Sequence, residues 1–128
     1  MTKFVLDTWA WIEYFEGSDK GKRVQQIIDK QGNIIVTNWI NLAELISLMK
    51  RKKMNYKDAV EIITSNSDIF FGDVEFSVSV GLRHAEIKSG IKDLGLVDAC
   101  VLATAEKIGA NIVTRDPHFK GMKNVVMI

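Results

Sequence analysis

The sequence predicts an α/β fold, a three-layer sandwich in which a mostly parallel central sheet is flanked by helices. Two observations carry this. Short apolar runs alternate with helix-length amphipathic stretches along the chain, the order that builds parallel sheets. The runs are also continuously apolar, as in strands covered on both faces. With 128 residues, one proline and nine dispersed glycines, nothing reads as a linker, repeat or low-complexity tract, so residues 1–128 are expected to form one domain.

Lys3 to Leu6 reads as the first strand, and Trp9 to Glu16 as a helix stopped by Gly17-Ser18. Gly21 to Gln31 is a second helix, with Val24, Ile27 and Ile28 on one face and Gly32 as its stop. Asn33 to Thr37 (NIIVT) is a buried-type strand. A long helix is predicted over Trp39 to Lys53, with Leu42, Leu45, Ile46 and Met49 as its stripe. Asp58 to Thr64 belongs to another helix, Ile69 to Phe71 to a strand, and Ser77 to Ser89 to a helix. Val97 to Ile108 is an alanine-rich helix closed by Gly109. Asn111 to Thr114 (NIVT) and Asn124 to Ile128 (NVVMI) are the last strands.

Composition narrows the function classes. A formal net charge of +1 supplies no global attraction to nucleic acid, so such a partner must meet local patches. The single Cys100 rules out an intramolecular disulfide framework and fits a reducing compartment. No apolar run reaches the length of a membrane span, and Met1-Thr2-Lys3 leads into a strand without a signal-peptide pattern. The cytoplasm is the expected location, with no membrane partner.

In parallel α/β sheets the ligand crevice lies outside the carboxyl ends of the strands. Asp7 follows the first strand, and Asp116 follows NIVT on the same edge. Glu44 lies six residues after Asn38, between Leu42, Ala43, Leu45 and Ile46; Asp98 opens a nearly all-apolar helix. Buried carboxylates are expensive unless paired, hydrogen-bonded or bound to metal. Each acid has a local explanation. Asp7 and Asp116 suit helix N-caps, Asp116 all the more because Pro117 follows. Glu44 suits a capping box with Asn41, and Asp98 the positive end of its helix dipole. Local capping does not, however, require four acids to face one crevice.

These residues fall into a family pattern. Asp7-Thr8 after the first strand, Asn41-Leu42-Ala43-Glu44, Val97-Asp98-Ala99 with Leu102-Ala103-Thr104-Ala105, and Val113-Thr114-Arg115-Asp116-Pro117-His118-Phe119 together resemble the PIN domain. Within it, the chain looks most like the VapC-type toxins of prokaryotic toxin–antitoxin pairs. The resemblance spans almost the whole chain, with every block in order. It implies a magnesium- or manganese-dependent endoribonuclease with Asp7, Glu44, Asp98 and Asp116 as the acidic quartet, and Thr114 as a polar neighbour. It also implies a homodimer and an antitoxin whose tail enters the active groove.

The chemistry agrees with that reading. Hydrolysing a phosphodiester needs an activated water, a stabilised leaving oxygen and neutralisation of added negative charge. Magnesium prefers oxygen ligands and keeps several waters, so a few carboxylates plus substrate phosphate suit it; one ion or two would serve. Four acids without a cation would repel one another. Asp7, Asp98 and Asp116 are the expected ligands, direct or through water, and Glu44 a ligand or the group that orients the attacking water. Thr8 and Thr114 are expected to support them. Lys50-Arg51-Lys52-Lys53 is the one dense basic run. Arg51, Lys52 and Lys53, with Arg115, are candidates for RNA phosphates, although cations at a helix C-terminus also satisfy its dipole. Trp9 and Trp11 are two apart on a helix and do not share a face, so one aromatic among Trp9, Trp11, Tyr14 and Phe15 is expected off the core, as at a partner surface.

Other chemistries fit poorly. His84 and His118 lie 34 residues apart without paired cysteines, against a structural zinc site. Cys100 reads as a small core residue, and neither a nucleophile elbow nor a Gly-rich phosphate loop occurs. A phosphoacceptor receiver domain would want an acidic pair at the first strand and a lysine after a late one, which Asp7-Thr8 and Arg115-Asp116 do not supply. The rival that survives is a catalytically silent PIN scaffold that binds RNA or protein.

Overall fold

In the computed structural model, which describes residues 1–88, 90 and 94–128, each apolar run of the sequence forms a strand. The order is β1 (Lys3–Leu6), α1 (Thr8–Glu16), α2 (Asp19–Asp29), β2 (Ile34–Asn38), α3 (Trp39–Arg51), α4 (Tyr56–Asn66), β3 (Asp68–Phe70), α5 (Val74–Lys88), α6 (Leu96–Ile108), β4 (Asn111–Thr114), a 3-10 turn (Pro117–Phe119) and β5 (Val125–Met127). Where boundaries differ from expectation, a cap explains it. Ser18 accepts from the Gly21 amide, so α2 starts at Asp19 and not at Gly21. Asp73 accepts from the Phe76 amide at 2.8 Å, and α5 begins three residues before the predicted Ser77; its predicted end, Ser89, lies outside the described residues. Lys53 has φ of 58°, a left-handed conformation that stops α3 short of its predicted end.

The strands pair in the order β3-β2-β1-β4-β5, and every pairing is parallel. Side chains alternate between two layers, as a pleated strand dictates. Leu6, Ile35 and Val113 face one side and pack with Ala10, Trp11, Val24, Leu45, Met49 and Ile63 of α1–α4. Val5, Val36 and Ile112 face the other and pack with Val101, Leu102 and Ala105 of α6. Phe76 and Val80 of α5 close over α6 through Ala99 and Ala103. Helices on both faces explain why the strands carry no polar alternation. No helix among the described residues is long and apolar enough to cross a membrane.

Chain order turns at β1. Strands 1, 2 and 3 run outward on one side, and β4 returns to pair with β1 on the other. The carboxyl ends of β1 and β4 therefore form a topological switch point, where parallel α/β sheets open their ligand crevice. Asp7 follows β1 directly, and Asp116 follows β4 after Arg115.

Candidate active site at the carboxyl edge of the sheet

Asp7 is buried and performs two local tasks. It caps α1, one oxygen accepting from the Ala10 amide at 2.8 Å. Its other oxygen accepts from the Thr114 hydroxyl across the β1–β4 seam, where Leu6 pairs with Val113. Burial pushes its carboxyl up to about 6, against the lowering effect of both hydrogen bonds; the charges of Asp98 and Asp116 push the same way. Each carboxylate oxygen carries two lone pairs, so Asp7 keeps acceptor capacity beyond these bonds.

Asp98 occupies the third position of α6, where its carboxylate accepts from the Gly95 amide at 3.1 Å, the half of a capping box that a glycine N-cap allows. Partial burial raises its pKa, helped by the charges of Asp116 and Glu44, while the Gly95 amide and His118 oppose the rise. Asp116 caps the 3-10 turn and accepts from the His118 amide at 2.9 Å. Its own amide donates to Thr114 Oγ1 at 3.0 Å, so one threonine touches both strand-end acids. His118 Nδ1 lies 2.9 Å from the Asp116 carboxylate.

The groups that converge most tightly are Asp98, Asp116 and His118, each offering one ligand atom within 4.8 Å of the others. Among the described residues neither Asp7 nor Glu44 joins that cluster. Glu44 is exposed in the middle of α3, its charge still felt at Asp98. The capping-box explanation of Glu44 fails, because Asn38 and not Asn41 caps the helix, accepting from the Ile40 amide at 2.9 Å. Two carboxylates, a third carboxylate at the seam and a nitrogen donor suit a divalent cation. The upward displacement of Asp7 and Asp98 marks charge that a cation would relieve.

The remaining predicted residues are spread out. Thr8 touches no acid: its hydroxyl receives the Asn41 Nδ2 amide at 3.1 Å and tethers α1 to α3. Arg115 turns back onto α1, where it pairs with Glu13 and sits 4.4 Å above the Trp9 ring. Arg51, Lys52 and Lys53 lie at the far end of α3, Arg51 two turns or about 10 Å beyond Glu44 and on the same face. Cys100 is half-buried and accepts from Asn38 Nδ2 at 3.3 Å. Trp11 fills the core and donates to Thr37 at 3.0 Å, leaving Trp9, 36% exposed, as the aromatic off the core.

Three further residues lie at the site in places that the sequence does not reveal. Asn38 caps α3 through one amide atom and donates to Thr104 on α6 through the other at 2.8 Å, joining the helices that carry Glu44 and Asp98. Asn41 is buried, with its Oδ1 lacking a hydrogen-bond partner among the described residues. His118 belongs to the last block of the family pattern, and its place two residues after Asp116 is the signal for its position in the site.

The chain matches the PIN domain family over residues 4–125. A search of curated proteins by sequence finds no match. Among solved structures, VapBC2 from Rickettsia felis, bound to a DNA fragment from its promoter, superposes with a TM-score of 0.76 at 20% identity, covering 99% of this chain and 98% of that one. Mycobacterium tuberculosis VapC20, a sarcin–ricin loop cleaving toxin, gives 0.75 at 15% identity over 98% of both chains. A toxin–antitoxin complex from Klebsiella pneumoniae gives 0.70 at 24% identity over 96% and 95%. At these identities the superpositions speak for the fold, while the family match spans nearly the whole sequence. The chain belongs to the PIN domain family.

Proposed function

We propose that this chain is a single-domain, metal-dependent endoribonuclease that hydrolyses phosphodiester bonds in single-stranded or loop RNA, and the toxin of a VapBC-type pair acting in the cytoplasm. The observation that carries the reading is the convergence of Asp98 and Asp116 beside Asp7 at the switch point of a PIN-family sheet. Asp7, Asp98 and Asp116 hold one or two magnesium or manganese ions, and Glu44 reaches in from α3 as ligand or water-orienting base. When bound, the metal supplies charge neutralisation and a more acidic water. Thr114 fixes the spacing of Asp7 and Asp116 by touching both. Arg51, on the Glu44 face, and Lys52 and Lys53 beside it extend a path for RNA phosphates. Arg115 lends its positive charge near the crevice while held on Trp9 and Glu13.

Partner surfaces follow the exposed aliphatic stripe of α5. Val74, Val78 and Leu82 recur every four residues on an exposed face, with Phe71 just before the helix and Leu96 at the start of α6 also exposed. We assign that stripe to a homodimer, and the crevice to RNA or to a cognate antitoxin. The silent-scaffold reading has one observation in its favour: Asp7, Asp98 and Asp116 all serve as caps and so have structural work without a metal. Incubation of the purified protein with unstructured RNA separates the two. Cleavage is expected with magnesium or manganese, none with chelator, and none from Asp98→Asn. Undiminished cutting in chelator, with contaminating nucleases excluded, would overturn the metal mechanism. Absence of both cleavage and metal binding would leave the scaffold.

A further inference from the structure

The acidic quartet omits the nitrogen donor that, among the described residues, the fold brings beside Asp98 and Asp116. Pro117 starts a 3-10 turn two residues beyond the end of β4, after Arg115 and Asp116, and Phe119, fully buried, anchors its far end in the core. Between them His118 is held twice against Asp116, its amide and its Nδ1 each 2.9 Å from the same carboxylate oxygen. Across the gap stands Asp98 at the start of α6, and one donor atom from each of the three residues falls within 4.8 Å of the others. In octahedral coordination with bonds near 2.1 Å, opposite ligand atoms stand about 4.2 Å apart. The three donors thus lie within about half an ångström of the span that the ligands of one ion occupy. Among the described residues no other group of three shows this spacing.

We propose that His118 is a direct metal ligand, forming with Asp98 and Asp116 a mixed carboxylate–imidazole set that favours manganese over magnesium. The inference rests on the metal-dependent reading above and adds to it a ligand and a preference. Magnesium is a hard ion that takes oxygen donors and gives up water reluctantly, whereas imidazole suits later and softer divalent ions. A nitrogen in the first coordination sphere therefore raises manganese affinity more than magnesium affinity. The competing role for His118 is a hydrogen bond that merely orients Asp116.

Pulsed electron paramagnetic resonance of bound manganese separates these roles, because a directly bonded imidazole nitrogen couples strongly to the metal electrons and a remote one does not. We expect that coupling in the wild-type protein and in His84→Ala, and its loss in His118→Ala and in His118→Gln, with circular dichroism confirming the fold. Calorimetry should show manganese binding weakened about tenfold or more in both His118 variants, with magnesium binding changed much less. Bound manganese without nitrogen coupling would overturn the proposal while leaving a metal at the carboxylates. No bound manganese at all would overturn the metal reading and this inference together.

Discussion

Asp7 shows how one side chain answers to two demands. As a cap it stabilises α1 in either protonation state, but as a buried carboxylate it resists ionisation, and its pKa rises from 3.8 to about 6. The sign follows from proton binding: between those values the folded chain holds a proton that the unfolded chain has released, so stability falls as pH rises. At about 1.4 kcal/mol per pKa unit, the full penalty above pH 6 is about 3 kcal/mol. Well below the unfolded value of 3.8 the carboxyl is protonated in both states and the penalty is gone. Asp7→Asn keeps the cap and removes the charge. In chelator it should melt higher than wild type at pH 7 to 8, with the gain shrinking to little near pH 4; thermal denaturation across that range checks this. Asp116→Asn likewise keeps a cap, yet should lower RNA cleavage by more than about a hundredfold if the carboxylate holds metal. A variant that retains its rate would return Asp116 to a structural role.

At the scale of elements, the site depends on how α1 is pinned. Its N-terminus carries Asp7 and its inner face carries Glu13, which is buried and accepts from Ser18 and Arg115. Those bonds, the Ser18 one foremost, hold the Glu13 carboxylate below its usual range. Arg115 adjoins both Thr114 and Asp116, so the Glu13–Arg115–Trp9 contact ties the loop after β4 to the helix after β1. Arg115→Ala should cost about 1–3 kcal/mol in urea denaturation, since it removes the cation hydrogen-bonded to the buried Glu13 carboxylate and leaves the weaker influence of Lys20. Arg115→Lys should recover only part, because lysine lacks the planar fork and the stack on Trp9. Gly21 completes the pinning. A Cβ there would lie 2.0 Å from the Glu13 carbonyl oxygen, a backbone atom unable to step aside. Gly21→Ala should therefore force α1 and α2 apart and destabilise the protein by about 1–3 kcal/mol, again readable by urea denaturation.

For the molecule as a whole, the question is what covers the outer face of α5. Val74, at 81% exposure, and Leu82, at 68%, are costly in water unless a partner covers them. Light scattering of the pure protein should give a dimer mass, and Leu82→Glu with Val78→Glu should shift it towards monomer while far-ultraviolet circular dichroism stays unchanged. A strictly monomeric wild type at high concentration would remove the dimer and leave the crevice chemistry untouched.

The layer order was readable from residues alone because strands buried on both faces have apolar centres, as FVL and the IIV and IV of NIIVT and NIVT do. Helix ends were readable where a capping residue acts within a few positions, as at Gly17 and Gly109, both left-handed. The strand-end acids Asp7 and Asp116 were visible for the same local reason, since each lies within a few residues of the end of an apolar run. Distances between segments were not. That Glu44 is exposed and not embedded depends on which face of α3 meets α4 and the sheet, and only packing decides it. That Arg115 folds back onto Glu13 and Trp9 depends on β4 lying beside β1, a pairing between segments about a hundred residues apart. The chain order of polar groups is local information, whereas the choice of His118 as the third member of the tightest cluster is set by α6 meeting the turn after β4. Such a contact is decided by the sum of the core's packing, and no short window of sequence contains it.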